Sequence, residues 1–220
     1  MPEVVRQYEE EIIRALLETF MMVGASIVAA VLVGIPLGTI LFTCRKGQIA
    51  ENRPLYSLVN VLVNITRSFP FLLLVVFLIP FTRLLVGTAI GTTAAIVPLA
   101  IIAIAHYARL VEQSLLDVPK GVIEAAVSMG ANVRQIMMKF IFVEARSGLV
   151  LGLTTSIISF ISYSTVMGIV GGGGIGDFAI RYGYHQFRTD LMLYVIIIMV
   201  IIVQTTQFIG TMIAKRIDKR

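Results

Sequence analysis

The chain has 220 residues, of which 57% are hydrophobic and only 14% charged, and its mean hydropathy is +0.91. A soluble domain carries roughly a quarter charged residues, so this composition excludes a water-facing globule and indicates an integral membrane protein. The formal charge of +5 does not point to nucleic acid, because the basic residues flank apolar runs where they set topology, and the lone Cys44 excludes an intrachain disulfide.

The opening stretch, MPEVVRQYEEEIIRALLETF, is acidic where a signal peptide is basic and lacks a small-residue cleavage site, so it reads as part of the mature chain. Apolar runs of about 20 residues are candidate spans. Five are predicted, at 16–43, 55–81, 91–111, 147–170 and 191–214. Glycines recur at four-residue spacing in Gly34 with Gly38, Gly87 with Gly91 and Gly148 with Gly152, a pattern that predicts close helix packing. With the C-terminus in the cytoplasm, twelve Lys and Arg fall on inner segments and five on outer ones, Arg67 set aside. That bias places the N-terminus outside and the C-terminus inside.

Arg67 falls within the second predicted span, where insertion costs about 2.5–3.5 kcal/mol. The same stretch holds eighteen Leu, Ile, Val or Phe, each contributing roughly −0.3 to −0.6 kcal/mol, so insertion still prevails. A second reading is open: Pro70 breaks the segment, residues 55–67 lie at the interface and Arg67 snorkels. Arg67 is therefore a candidate either for structure or for a translocation path.

Between the third and fourth spans lies an amphipathic segment, 118–143. Asp117 and Pro119 suit a helix start, and Val122, Ala126, Met129, Val133, Ile136 and Phe140 draw one apolar stripe at helical spacing. Gly130 interrupts it, which predicts a left-handed helix end, and Asn132 with Gln135 predicts the cap of a second helix. The expectation is two short helices meeting at a glycine, either floating in the headgroup layer or laying their stripe in a groove on a partner.

The fourth span carries Thr155, Ser159 and Ser162 near one helical face. They suit a polar translocation path, and interhelical hydrogen bonds of about 0.6 kcal/mol each account for them equally well. Beyond it, Gly171, Gly173 and Gly176 spell a dinucleotide-like pattern with Asp190 further on, but a membrane span precedes it rather than a strand. A tight or flexible outer loop is the better expectation. No phosphate-cradling G-x-x-x-x-G-K-[ST] motif occurs, His106 and His185 lack neighbours at metal-ligand spacing, and no catalytic set can be assembled.

The stretch EAAVSMG resembles the EAA loop of ABC-importer permease subunits, with Glu124, Ala125, Ala126 and Gly130 matching directly. The family's Ile-x-Leu-Pro ending is replaced here by Phe140, Ile141, Phe142 and Val143, so the resemblance does not fix where the second short helix ends. NITRSFPFLLLVVFLIPFTRLLVGTAIGTTAAIVPL, ARLVEQSLLDVPKGVIEAA and GGGGIGDFAIRYGY together resemble the permease of methionine importers. The resemblance implies an all-α, five-span membrane domain of type I importer permease architecture, 1–220, forming a homodimer in the cell membrane. It implies two ATP-hydrolysing subunits on the cytoplasmic side, with ATP bound by them and no cofactor on this chain. Glu124, Ala125, Ala126, Met129, Gly130, Ala131, Val133, Ile136 and Met137 would form the coupling segment, and a substrate-binding protein would deliver an amino acid, D- or L-methionine, near the 171–190 loop. Another amino acid as cargo stays open. An ion-coupled secondary transporter would carry membrane-embedded acids, whereas all thirteen Asp and Glu lie outside or at the edges of the predicted spans. A purely structural anchor would not need the amphipathic pair.

Overall fold

The computed structural model describes residues 6–218. Helix α1, Glu9–Ala29, opens with Glu9, Glu10 and Glu11 in its first turn, where acids complement the positive end of the helix dipole. It runs through a π-turn at Ala30–Gly34 into α2, Ile35–Thr43. Pro36 has no N–H to donate, and its ring crowds the carbonyl one turn back. The widened turn just before it is how the helix passes the proline without breaking.

The second predicted span is not one helix. Asn52 caps α3, Arg53–Ser68, by accepting the Leu55 amide at 3.2 Å. Phe69 is extended, with ψ 131°, because the residue before a proline is pushed out of the α region. Helix α4, Phe71–Phe77, then departs at 104° to α3. Helix α5, Ile79–Val86, follows with Pro80 in its first turn and ends on Gly87 in the left-handed conformation. The helical break at Pro70 that one of the two sequence readings of 55–81 expected is present.

Helix α6, Thr92–Leu116, is the central element: Leu99, Ala103, Ala108, Val111 and Leu115 have no exposed surface. It packs against α1, α2, α3 and the later α9. Lipid tails are as apolar as leucine, so such packing depends on close approach rather than on escape from water. At Gly38 a Cβ would stand 2.5 Å from the Ala108 carbonyl oxygen and 2.6 Å from Val111 Cβ; the Gly34–Gly38 pair is a packing seam, as expected. Gly148 and Gly152 likewise face Ser114 and Leu110. Gly87 and Gly91 do not: no atom outside their own chain neighbours stands within 4 Å of a Cβ built there, and both have positive φ, so this pair serves a turn.

After α6 come α7, Lys120–Ser128, and α8, Val133–Gln135. Helix α8 continues through a π-turn at Ile136–Ile141 into α9, Phe142–Ile169, giving one unbroken rod, Val133–Ile169. The short α10, Gly174–Phe178, and a π-turn at Ala179–Tyr184 form the glycine-rich connection that follows α9. Helix α11, Thr189–Ile217, closes the bundle. Ser147 on α9 donates to the Ala214 carbonyl at 3.3 Å and Tyr107 to that of Leu149 at 3.2 Å, tying α11, α9 and α6 together. Among the described residues four helical stretches are long and apolar enough to cross a bilayer, and the bent α3–α4 pair makes a fifth if it is counted as one span.

Candidate functional site

The segment after α6 is built by its caps. At the end of α7, Gly130 has φ +74°, its amide donates to Val127 O at 2.9 Å, and the Ala131 amide reaches back to Ala126 O at 3.1 Å. This pair of bonds closes a helix on a left-handed glycine, as the sequence predicted. Two residues on, the Asn132 side chain accepts the Gln135 amide at 3.0 Å while Gln135 Oε1 accepts the Asn132 amide at 2.9 Å, a reciprocal cap that starts α8. The second helix does not end, however. With no proline between Phe140 and Val143 it feeds straight into the long rod, so it is the first part of that rod rather than a separate short helix.

The predicted stripe is divided between two surroundings. Ala126, Ile136 and Met137 are buried in the chain's own core, with Val122, Ala131 and Phe140 packed beside them. Met129 and Val133 point outward instead, 66% and 43% exposed, and with Val127 and Met138 they form an uncovered apolar patch. Glu124, Ala125, Ser128 and Gly130 are exposed on the same segment. Thus Ala126, Ile136 and Met137 hold the segment against the bundle, and Glu124, Ala125, Met129, Gly130 and Val133 are the residues free to touch another protein. Ala131 is half-buried between the two groups. Beside the segment, the 44–52 loop is pinned by Glu51, which accepts the Gly47 amide at 2.9 Å and Arg53 Nε at 2.8 Å. Those donors hold its carboxyl below the usual carboxylate range.

Directly above lies a polar network that the sequence did not reveal. Glu112, 1% exposed, is paired with Arg109 one turn before it, and Arg45 Nη1 stands 3.8 Å from its other oxygen. Arg109 Nη2 donates to Asn60 Oδ1 and Asn64 Oδ1, each at 2.7 Å, which joins α3 to α6. The expectation that no acid lies inside a span is therefore corrected: α6 extends to Leu116 and carries Glu112 within it. The available signal was the spacing, Arg109 and Glu112 at i and i+3 and Asn60 and Asn64 at i and i+4, all at positions that meet on helical faces.

Thr155 and Ser162 are exposed and Ser159 half-buried on one face of α9. Each hydroxyl donates to the carbonyl one turn back, and none bridges to another helix of the chain. Arg67 is exposed at the end of α3. Near it, Phe71 stacks on Tyr163 with centroids 4.6 Å apart, and His106 sits edge-on to Phe160 at 5.8 Å.

On the opposite end the glycine-rich loop is tightly turned and pinned. Glu18 Oε2 accepts the Gly174 amide at 2.8 Å, Thr19 Oγ1 accepts that of Ile175 at 2.9 Å, and Gly91 donates to Gly171 O at 2.9 Å. A Cβ on Gly176 would stand 2.3 Å from the Thr165 carbonyl oxygen, so packing onto α9 explains that glycine and no nucleotide is needed. The loop walls a polar hollow of 680 Å³ with Arg14, Glu18, Thr92, Asp177 and Arg181 in its lining.

Residues 30–220 match the family described as binding-protein-dependent transport system inner membrane component. The chain is 46% identical over 203 residues to a probable D-methionine transport system permease protein, MetI, of Vibrio cholerae, covering 92% of this chain and 90% of that one. It is 41% identical over 181 residues to the methionine import system permease protein MetP of Bacillus subtilis, covering 82% of each. Among solved structures, a chain of the inward-facing MetNI methionine ABC transporter superposes with a TM-score of 0.94 at 41% identity, covering all of both chains. A chain from an amino acid ABC transporter crystallised with histidines shares the fold, with a TM-score of 0.81 at 19% identity over 97% of each.

Proposed function

The chain belongs to the family of binding-protein-dependent transport system inner membrane components, and from that premise we propose that it is the permease subunit of an ATP-driven importer of methionine. The relatives from Vibrio cholerae and Bacillus subtilis are described as methionine permeases, and the likeness to a MetNI chain runs the full length of both. Two copies form the translocation path between them, with Thr155, Ser159 and Ser162 facing it. The N-terminus lies outside and the C-terminus in the cytoplasm. ATP is bound and hydrolysed by two separate subunits on the cytoplasmic side, so this chain needs no cofactor of its own. A substrate-binding protein delivers cargo at the outer face, around the loop that Glu18 and Thr19 hold.

The observation that carries this reading is the exposed patch of Val127, Met129, Val133 and Met138 on an elbow welded to two spans. α6 leads into α7 through Asp117–Pro119, and α8 is the same rod as α9. A push on the patch is therefore a push on both spans, with no flexible linker to absorb it. Nucleotide-driven closure of the ATPases would rock the two permease copies as rigid bodies between inward-open and outward-open states. Co-purification tests the docking step. Tagged wild type is expected to retain the ATPase subunit, whereas Glu124→Lys and Gly130→Pro lose it while still inserting in the membrane. ATPase retained equally by all three would overturn the coupling role of the elbow.

A further inference from the structure

Helix α11 carries amide side chains halfway along its length. The charges that bound its apolar run are Asp190 and Lys215, which puts the middle of that run at Ile202–Val203. Gln204, Thr205 and Gln207 stand beside this midpoint and are exposed. Gln207 gives its amide to Thr211 Oγ1 at 3.0 Å, but Gln204 has no hydrogen-bond partner among the described residues. A carboxamide left unpartnered in hydrocarbon is costly, so something polar must meet it. Helices α9 and α11 run antiparallel: Ser147 donates to Ala214 O, and Thr154 faces Gly210. Six residues further along each helix, Gln204 stands level with Phe160, and Ser162 lies about 3 Å beyond it toward the glycine-rich loop.

These groups border one groove. It holds 530 Å³ between α9, α10, the π-turn Ala179–Tyr184 and α11, and Ser162, Thr165 and Gln204 are its polar lining. The rest of the wall is aliphatic or thioether, with Ile180 and Met192 at the loop end and Met199 between them and Gln204; no charged residue lines it. Small-molecule sites are of this size and kind, about 300–1,000 Å³ and mostly apolar, with a few convergent polar groups. Ser162 and Thr165 have committed their hydrogens, to Ile158 O at 3.4 Å and to Ser162 O at 2.7 Å, and so offer lone pairs. Gln204 offers two N–H donors and a carbonyl. Donors and acceptors side by side suit a carboxylate and an ammonium borne on one carbon, whereas a lipid tail would use none of them. The uncharged wall suits an uncharged side chain and would strand a charged one, and flexible thioethers fit themselves to an unbranched chain.

We propose that this groove holds the cargo amino acid in mid-membrane, its uncharged, unbranched side chain among Ile180, Met192 and Met199 and its ammonium and carboxylate at Ser162 and Gln204; this rests on the importer reading above. The test photolyses the diazirine analogue of methionine with the permease–ATPase complex in nanodiscs and maps the labelled peptides. ATP-driven methionine uptake into proteoliposomes, with the binding protein present, is measured alongside. Wild type is expected to take label on the α9 and α11 residues that border the groove, and unlabelled methionine to chase it. Gln204→Leu is expected to lower chased label and uptake by about tenfold or more, the scale of a lost hydrogen bond to a charged group. Val200→Trp, which fills the groove from an exposed position on its wall, is expected to abolish both. Gln207→Leu, on the same helix but outside the groove, is expected to match wild type, and all three variants to keep assembly and hydrolysis stimulated by the binding protein. Wild-type label and uptake in Gln204→Leu and Val200→Trp would overturn the proposal. So would label that unlabelled methionine does not chase, the mark of a lipid tail in the groove, or loss of assembly in both variants, the mark of a second copy seated there. Absence of ATP-driven uptake in wild type would bring down the importer reading and this inference with it. Normal wild-type uptake with label confined to other parts of the chain would bring down this inference alone.

Discussion

Glu18 on the first helix accepts the amide of Gly174 at 2.8 Å, joining positions 156 residues apart. Thr19 repeats the contact one residue on, with Ile175, so the first helix forms a clasp over the glycine-rich loop. A hydrogen bond to a charged acceptor contributes roughly 1.5–3 kcal/mol, and here part of that is lost to solvent because the Glu18 side chain is 27% exposed. Glu18→Ala is expected to leave the bundle folded and to speed limited proteolysis of residues 171–188 several-fold. Glu18→Gln keeps an oxygen acceptor and should lie nearer wild type. Unchanged cleavage in Glu18→Ala would show that the clasp does not hold the loop.

The buried pair on α6 predicts a non-additive cycle. Removing one partner of a buried ion pair leaves the other charge uncompensated and costs about 3–5 kcal/mol. Glu112→Gln and Arg109→Met should each lower thermal stability in detergent markedly. The double variant should lose clearly less than the two losses added together, because neither charge is then stranded. Strict additivity would mean that the two side chains do not stabilise each other.

Glycine substitutions separate seam from surface. Gly38→Ala must push apart α2 and α6, since the new methyl would stand 2.5 Å from a backbone oxygen that cannot move alone. Overpacking of this kind costs about 1–3 kcal/mol. Gly24→Ala meets no atom within 4 Å and should be neutral or stabilising by a few tenths of a kcal/mol to about 1 kcal/mol, through a less mobile unfolded chain. Equal thermal midpoints for the two variants would contradict the close approach at Gly38.

On the elbow between α6 and α9, Ala126 and Met129 are three residues apart and predict opposite phenotypes. Ala126 is fully buried, so Ala126→Leu should destabilise the chain by about 1–3 kcal/mol. Met129 is exposed, so Met129→Asp should leave stability within about 0.5 kcal/mol and weaken association with the ATPase. Thermal unfolding and co-purification, measured on both variants, read the two effects separately. A stable Ala126→Leu that loses the ATPase would reverse the assignment of faces.

Spans and caps were legible because their signals are local. Twenty apolar residues need a bilayer, a glycine with φ +74° stops a helix, and Asn132 with Gln135 starts one; each follows from chemistry within one turn. The partner of an apolar stripe was not legible. Val122 and Met129 look alike in sequence, and only the bundle decides that one faces its own core while the other is left uncovered. Glu112 escaped notice for a related reason. Hydropathy ended the third span at Val111 because Glu112 follows, but that carboxylate is met by Arg109 and Arg45, and Arg109 in turn by the amide oxygens of Asn60 and Asn64, which come from other parts of the chain. The break at Pro70 was readable, yet eighteen large apolar residues argued equally for a straight span. The bend of 104° follows from Phe69 being forced extended.

The central claim is that this chain carries methionine across a membrane at the expense of ATP hydrolysed by another subunit. The most direct measurement is uptake of labelled methionine into proteoliposomes holding the permease and its ATPase subunit, with the binding protein outside and ATP enclosed. The expected result is accumulation that requires both ATP and the binding protein and vanishes with an ATPase unable to hydrolyse. Uptake that proceeds without ATP and follows an imposed ion gradient, or none under any of these conditions while another amino acid is accumulated, would contradict it.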